Sequence, residues 1–174
     1  PTAGGWFWQT THQQNGKEVT VPAGTYVPDV IQNFTVDFLR RHKDQPFFFY
    51  YPMHLVHGPI LRTADSAKDA KDWAERYDEN IAYMDKQVGA IVAELERLGL
   101  REKTLVIFSG DNGTALTFPS TIGGRMINGK KGGMLEGGSR VPLIASWPGV
   151  TPAGRVSKDI VSFADPHATF LELA

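Results

Sequence analysis

The segment from 78 to 98 limits what this chain can fold into more than any other. Its apolar residues Ile81, Met84, Val88, Ile91, Val92, Leu95 and Leu98 recur at helical spacing, and Glu94, Glu96 and Arg97 lie mostly off that stripe. Gly99 follows where a left-handed cap is expected. After a brief turn, Thr104-Leu105-Val106-Ile107-Phe108-Ser109 is a short apolar run that predicts a buried strand. A one-sided helix feeding a strand that is apolar on both faces fits helices layered on a sheet.

The rest of the chain repeats this alternation. Val30, Ile31, Phe34, Phe38 and Leu39 predict a helix over 28–42, started by Pro28-Asp29. Pro46-Phe47-Phe48-Phe49-Tyr50-Tyr51-Pro52 sets five aromatics between prolines and predicts a strand buried on both faces. A third strand is expected at 142–147, closed by the Pro148-Gly149 turn, and a last strand at 159–163 before a helix from Asp165. Residues 1–26, rich in Gly, Thr, Gln and Trp, show no sustained period and read as an irregular surface segment. The expected fold class is α/β, with a largely parallel sheet flanked by helices.

With 174 residues the chain can bury one substantial core. A net charge of −1 and scattered basic residues give no electrostatic footprint for nucleic acid. No apolar run approaches the roughly 18 residues of a membrane span. There is no cysteine, so these residues supply no disulfide, thiolate metal ligand or cysteine nucleophile. Pro1 opens in the middle of a loop-like Gly-rich stretch and Ala174 ends within a helical pattern, so an interior piece of a longer protein is expected.

In open α/β sheets, ligands bind at the carboxyl ends of the strands. Three polar groupings are predicted there. Asp111-Asn112, between Gly110 and Gly113, offers a carboxylate and an amide carbonyl, hard oxygen ligands suited to Ca²⁺ or Mg²⁺. The same composition is also common in plain turns. His54 and His57 follow the aromatic run, and either could face an oxyanion or donate a proton to a leaving group. Lys130 and Lys131 sit between glycines that let backbone amides and an ammonium converge on an anion. Glu136 and Arg140 suit a structural ion pair shaping that loop, and the four tryptophans read most simply as core.

Taken in order, these segments resemble the sulfatase family, with its alkaline-phosphatase-like fold. The aromatic strand leading to His57-Gly58-Pro59 is similar to that family's His-x-Pro loop. Tyr77-Asp78-Glu79-Asn80-Ile81-Ala82-Tyr83-Met84-Asp85 matches its long helix, which runs into Ser109-Gly110-Asp111-Asn112-Gly113. The family has Ser-Asp-Asn-Gly there, so Gly110 is a departure. Lys131, Glu136-Gly137-Gly138-Ser139-Arg140-Val141-Pro142 and Trp147-Pro148-Gly149 complete the likeness, which extends over 27–174.

The resemblance implies that Asp111 and Asn112 are calcium ligands, that Lys131 contacts the sulfate ester, and that His57 touches the sulfate or protonates the leaving oxygen. Lys131 is preferred to Lys130 because it stands five residues before Glu136, as the family lysine does. It further implies a sulfuric ester hydrolase, arylsulfatase-like, acting on a small-molecule or carbohydrate sulfate ester, and export to the periplasm or outside the cell. Sulfatases use a formylglycine made within Cys/Ser-x-Pro-x-Arg; one hydroxyl of its hydrate attacks sulfur and the other then expels sulfate. That motif does not occur in these residues, and Thr117-Phe118-Pro119-Ser120-Thr121 supplies only its proline. The nucleophile segment, the remaining calcium ligands and the smaller C-terminal domain are therefore expected outside this sequence, which by itself is expected to be inactive. A phosphonate or phosphodiester hydrolase of the same superfamily, and a non-catalytic binding module that kept the fold, are the alternatives.

Overall fold

The computed structural model describes residues 6–8, 11–66, 72–115 and 119–174. The expectations placed on Pro1 to Gly5 and on Thr117-Phe118 lie outside them. The chain forms two compact units, Pro1–Thr104 and Leu105–Ala174.

The first unit is built on two helices, α1 (Val27–Arg41) and α2 (Trp73–Arg97). Pro28 occupies the first turn of α1, where its missing N–H costs nothing. Asp72 caps α2 by accepting from the Ala74 amide at 3.2 Å. The other end closes as the sequence predicts. Gly99 takes φ 68°, and the Gly99 and Leu100 amides donate back to the Glu96 and Leu95 carbonyls at 3.0 and 2.8 Å. Gln32 Nε2 donates to the Gln87 carbonyl at 3.0 Å, and Tyr83 Oη donates to Asp29 Oδ1 at 2.6 Å, so both helices share buried polar ties. Phe7, Tyr26, Leu55 and Tyr83 form the core cluster, with Tyr26 and Tyr83 meeting edge-on at 5.5 Å. Asn80, fully buried, donates to the Leu61 carbonyl at 2.8 Å and holds the loop before α2 against the helix.

Residues 1–26 were expected to be irregular, but β1 (Thr11–Gln14) and β2 (Lys17–Thr20) form an antiparallel hairpin. Asn15 and Gly16, at φ 53° and 75°, make the turn whose twist suits such hairpins. The aromatic run is a second correction, since it joins no sheet among the described residues. It alternates instead. Phe47 and Phe49 pack on Phe38 of α1 at 5.9 and 4.8 Å, while Phe48 and Tyr50 are 71% and 77% exposed.

In the second unit, β3 (Val106–Ser109) pairs with β6 (Leu143–Ser146), and β4 (Pro119–Ile122) pairs with β5 (Arg125–Asn128). Both pairs are antiparallel, so the expected parallel sheet is not formed among the described residues. Parallel neighbours need a crossover of a dozen or more residues, usually a helix. Between β3 and β6 the described chain has a hairpin and one helical turn, α3 (Glu136–Ser139). The strand expected at 159–163 is also absent from the described sheets. There, side chains take the backbone groups: the Asp159 amide donates to Ser157 Oγ at 3.1 Å and the Ser162 amide to Asp165 Oδ2 at 2.7 Å. Helix α4 (Asp165–Leu173) ends the chain.

Candidate functional site

The corner after β3 is set by the ladder. Ser109 lies opposite Leu143 where the ladder ends, and its Oγ donates to the Pro142 carbonyl at 2.9 Å. From there three segments meet backbone to backbone. The Gly113 amide donates to the Gly138 carbonyl at 2.9 Å, Lys130 to Gly137 at 2.7 Å, and Lys131 to Thr114 at 2.9 Å. A side chain would not fit between them. A Cβ on Gly113 would lie 2.0 Å from the Gly137 oxygen, on Gly137 1.7 Å from the Asn128 oxygen, and on Gly138 2.1 Å from the Gly133 oxygen. Three glycines thus let the Asp111-Asn112 corner, the lysine loop and the Glu-Gly-Gly turn close on one another.

The polar side chains around this junction divide into used and unused. Glu136 is held by Arg140 at 3.0 Å and Arg125 at 3.3 Å, the structural pairing expected for Arg140 with a second arginine added. Asp111 is exposed, and its carboxylate has no hydrogen-bond or ion-pair partner among the described residues. Asn112 donates through Nδ2 to the Gly113 carbonyl at 3.1 Å, which leaves Oδ1 as an open acceptor. Lys130 and Lys131 are exposed and pair with no carboxylate among the described residues. One carboxylate and one amide oxygen on adjacent residues fit two positions of a calcium shell. They do not fill it, and among the described residues no three His, Asp or Glu side chains are grouped to hold a metal. An apolar groove of about 510 Å³ adjoins the junction, lined by Arg125, Met126, Ile127, Lys130, Leu135 and Gly137 among others.

The histidine loop belongs to the first unit, and there the two histidines differ. His54 is half-buried, edge-on to Phe7 at 6.0 Å, with a buried Nδ1 that finds no partner among the described residues. Burial, and then the charge on His57, push its pKa below the ordinary imidazole value. His57 is exposed, and its Nδ1 donates to the Gly58 carbonyl at 2.7 Å. That bond commits the Nδ1 hydrogen to the carbonyl and leaves Nε2 as the ring atom that can meet a ligand.

Beside His57 lies a residue that sequence reasoning assigned to the core. Trp6 is 62% exposed, with its ring centroid 6.3 Å from that of His57. Its neighbours turn inward, with Phe7 buried and the half-buried Trp8 donating its indole N–H to the Arg62 carbonyl at 3.1 Å. The consecutive Trp6-Phe7-Trp8 was the available signal, since three large aromatics in a row cannot all point the same way.

Comparison with known proteins gives the context. The family model described as Sulfatase matches residues 3–174. The chain is 37% identical over 144 residues to N-acetylgalactosamine-6-sulfatase of Canis lupus familiaris, covering 80% of this chain and 27% of that protein. It is equally 37% identical to human arylsulfatase D, covering 79% and 24%. The chain therefore spans about a quarter of the length of these relatives. Among solved structures, Ps i-CgsB superposes with a TM-score of 0.76 at 28% identity, over 95% of this chain and 37% of that one. The same protein in complex with k-i-k-neocarrahexaose gives 0.72 at 26%, over 94% and 37%. These likenesses are consistent with an alkaline-phosphatase-like fold.

Proposed function

This chain belongs to the sulfatase family, and from that premise we propose that the whole protein hydrolyses sulfate esters of a ring-bearing alcohol, a sulfated carbohydrate first among them. The observation that carries the reading is the glycine junction. It holds the Asp111-Asn112 corner and the Lys131 loop together through backbone hydrogen bonds, while Asp111, Asn112 Oδ1 and Lys131 stay unpaired among the described residues. Unpaired opposite charges held near one another suit a site that awaits both a cation and an anion.

In this reading the Lys131 ammonium meets the sulfate oxygens and stabilises charge that grows on them as the ester bond breaks. Lys130 serves as a neighbouring positive charge without direct contact. Asp111 and Asn112 Oδ1 would hold Ca²⁺ in part, and the bound ion would supply further positive charge to the sulfuryl oxygens. The other ligands and the nucleophile have to come from residues outside this sequence, which has no cysteine and no Cys/Ser-x-Pro-x-Arg. His57, its Nδ1 proton committed to Gly58, would act with the ring doubly protonated and give the Nε2 proton to the departing alkoxide, leaving the neutral Nδ1–H ring. The carbohydrate preference is supported by the name of the N-acetylgalactosamine-6-sulfatase relative and by the oligosaccharide bound to Ps i-CgsB.

The test compares a sulfated sugar with the matching phosphate ester, using the whole protein. Preference for the sulfate supports the proposal. Preference for the phosphate would move the protein to a phosphodiester or phosphonate hydrolase, and turnover of neither would favour a binding role.

A further inference from the structure

We propose that Trp6 is the platform on which the ring of the leaving alcohol rests, and so a determinant of substrate choice. This rests on the reading that His57 faces the leaving oxygen. Of Trp6, Phe7 and Trp8, only Trp6 turns its ring outward. A large apolar side chain left 62% exposed forgoes most of the gain of burial until something else covers it.

The backbone that follows Trp6 is nevertheless held. Phe7 is sunk in the core, its carbonyl accepts from the Val27 amide at 2.8 Å, and Trp8 bridges to Tyr26 with the two rings 4.8 Å apart. The Trp6 ring lies against His57, 6.3 Å between centroids and tilted by 34°, and its indole N–H has no partner among the described residues. An open indole face and a free N–H donor suit a sugar ring, which has an apolar face of C–H groups and hydroxyls at its edge. A group held to His57 Nε2 by its ester oxygen would have its ring within reach of the indole. Because the anchors at Phe7 and Trp8 already restrain the backbone that follows Trp6, less freedom is left to lose when the ring settles.

The test uses the whole protein with Trp6→Ala and Trp6→Phe, assayed on a sulfated monosaccharide and on ethyl sulfate, which has no ring. Trp6→Ala is expected to raise KM for the sugar ester with little change in kcat. The preference for the sugar ester over ethyl sulfate should fall about tenfold, or ~1.4 kcal/mol, and Trp6→Phe should restore most of it. An equal loss on both esters would overturn the proposal, because Trp6 would then merely support His57. Unchanged preference would overturn it as well. If the wild type hydrolyses no sulfate ester, the sulfatase reading fails, and tryptophan fluorescence decides the platform separately. A saturable change with the sulfated monosaccharide, lost in Trp6→Phe, supports it, and no such change overturns it.

Discussion

Replacing Gly137 by alanine probes the junction where the backbone leaves no room. The added Cβ would lie 1.7 Å from the Asn128 oxygen, more than an ångström inside the 3.0 Å below which such contacts essentially never occur. The obstacle is main chain, so no rotamer change relieves it. Either the lysine loop or the Glu-Gly-Gly turn must move. Overpacking of this kind costs about 1–3 kcal/mol, which is roughly a fivefold to 150-fold shift in a local opening equilibrium. The amides to watch are those that bridge the junction, Gly113 to Gly138, Lys130 to Gly137 and Lys131 to Thr114. Hydrogen exchange at these three should accelerate within that range in Gly137→Ala. Gly110→Ala is the milder control, because its Cβ would meet Val141 Cβ and Cγ1 at 3.3 Å and the Asn112 oxygen at an ordinary 3.8 Å, so a shift of a few tenths of an ångström relieves it. Equal exchange in Gly137→Ala and wild type would refute the claim that glycine is required there, and with it the junction as described.

Two further outcomes follow from the first unit. Gly89 is exposed within α2, with nothing within 4 Å of a Cβ, so Gly89→Ala should stabilise by about 0.5–1 kcal/mol; a circular dichroism melt should show Tm higher by about 1–4 °C, and a lower Tm would mean that this face is packed. Glu94 is hydrogen-bonded by Arg97 and by Arg40, which hold its carboxyl down at about 2. Its unfolded counterpart takes up protons first, so this stabilisation is present above about pH 4.5 and is lost as pH falls towards 2. The urea midpoint should drop through that window in wild type and less steeply in Glu94→Gln; equal slopes would remove Glu94 from the account.

Much of the first unit was legible because helices announce themselves by period. The stripe ending at Leu98 and the cap at Gly99 required only spacing and one glycine. The hairpins escaped because their strands are too polar or too short to alternate clearly, as Thr11–Gln14 and Lys17–Thr20 show. Their turn pairs, Asn15-Gly16 and Gly123-Gly124, take positive φ in both residues and were the better signal. The aromatic run misled for the opposite reason. Five apolar side chains suggested two covered faces, yet only alternate rings are packed on α1.

At the site, the sequence could place Asp111, Asn112 and Lys131 near strand ends from composition and order. It could not reveal which of 18 glycines are squeezed between carbonyls, because that depends on chain segments meeting from 25 residues apart, as Gly113 and Gly138 do. Nor could it separate His54 from His57. That distinction comes from Phe7, far away in sequence, closing over one ring and leaving the other open.

The most direct test of the account is kcat/KM of the whole protein for a sulfate ester, measured in wild type, Lys131→Ala and Lys130→Ala. Loss of a charge that meets the sulfate should lower kcat/KM by about 100-fold or more in Lys131→Ala, with a much smaller effect in Lys130→Ala. Equal effects in both, or none in Lys131→Ala, would contradict the assignment of the junction as the place where the sulfate group is held.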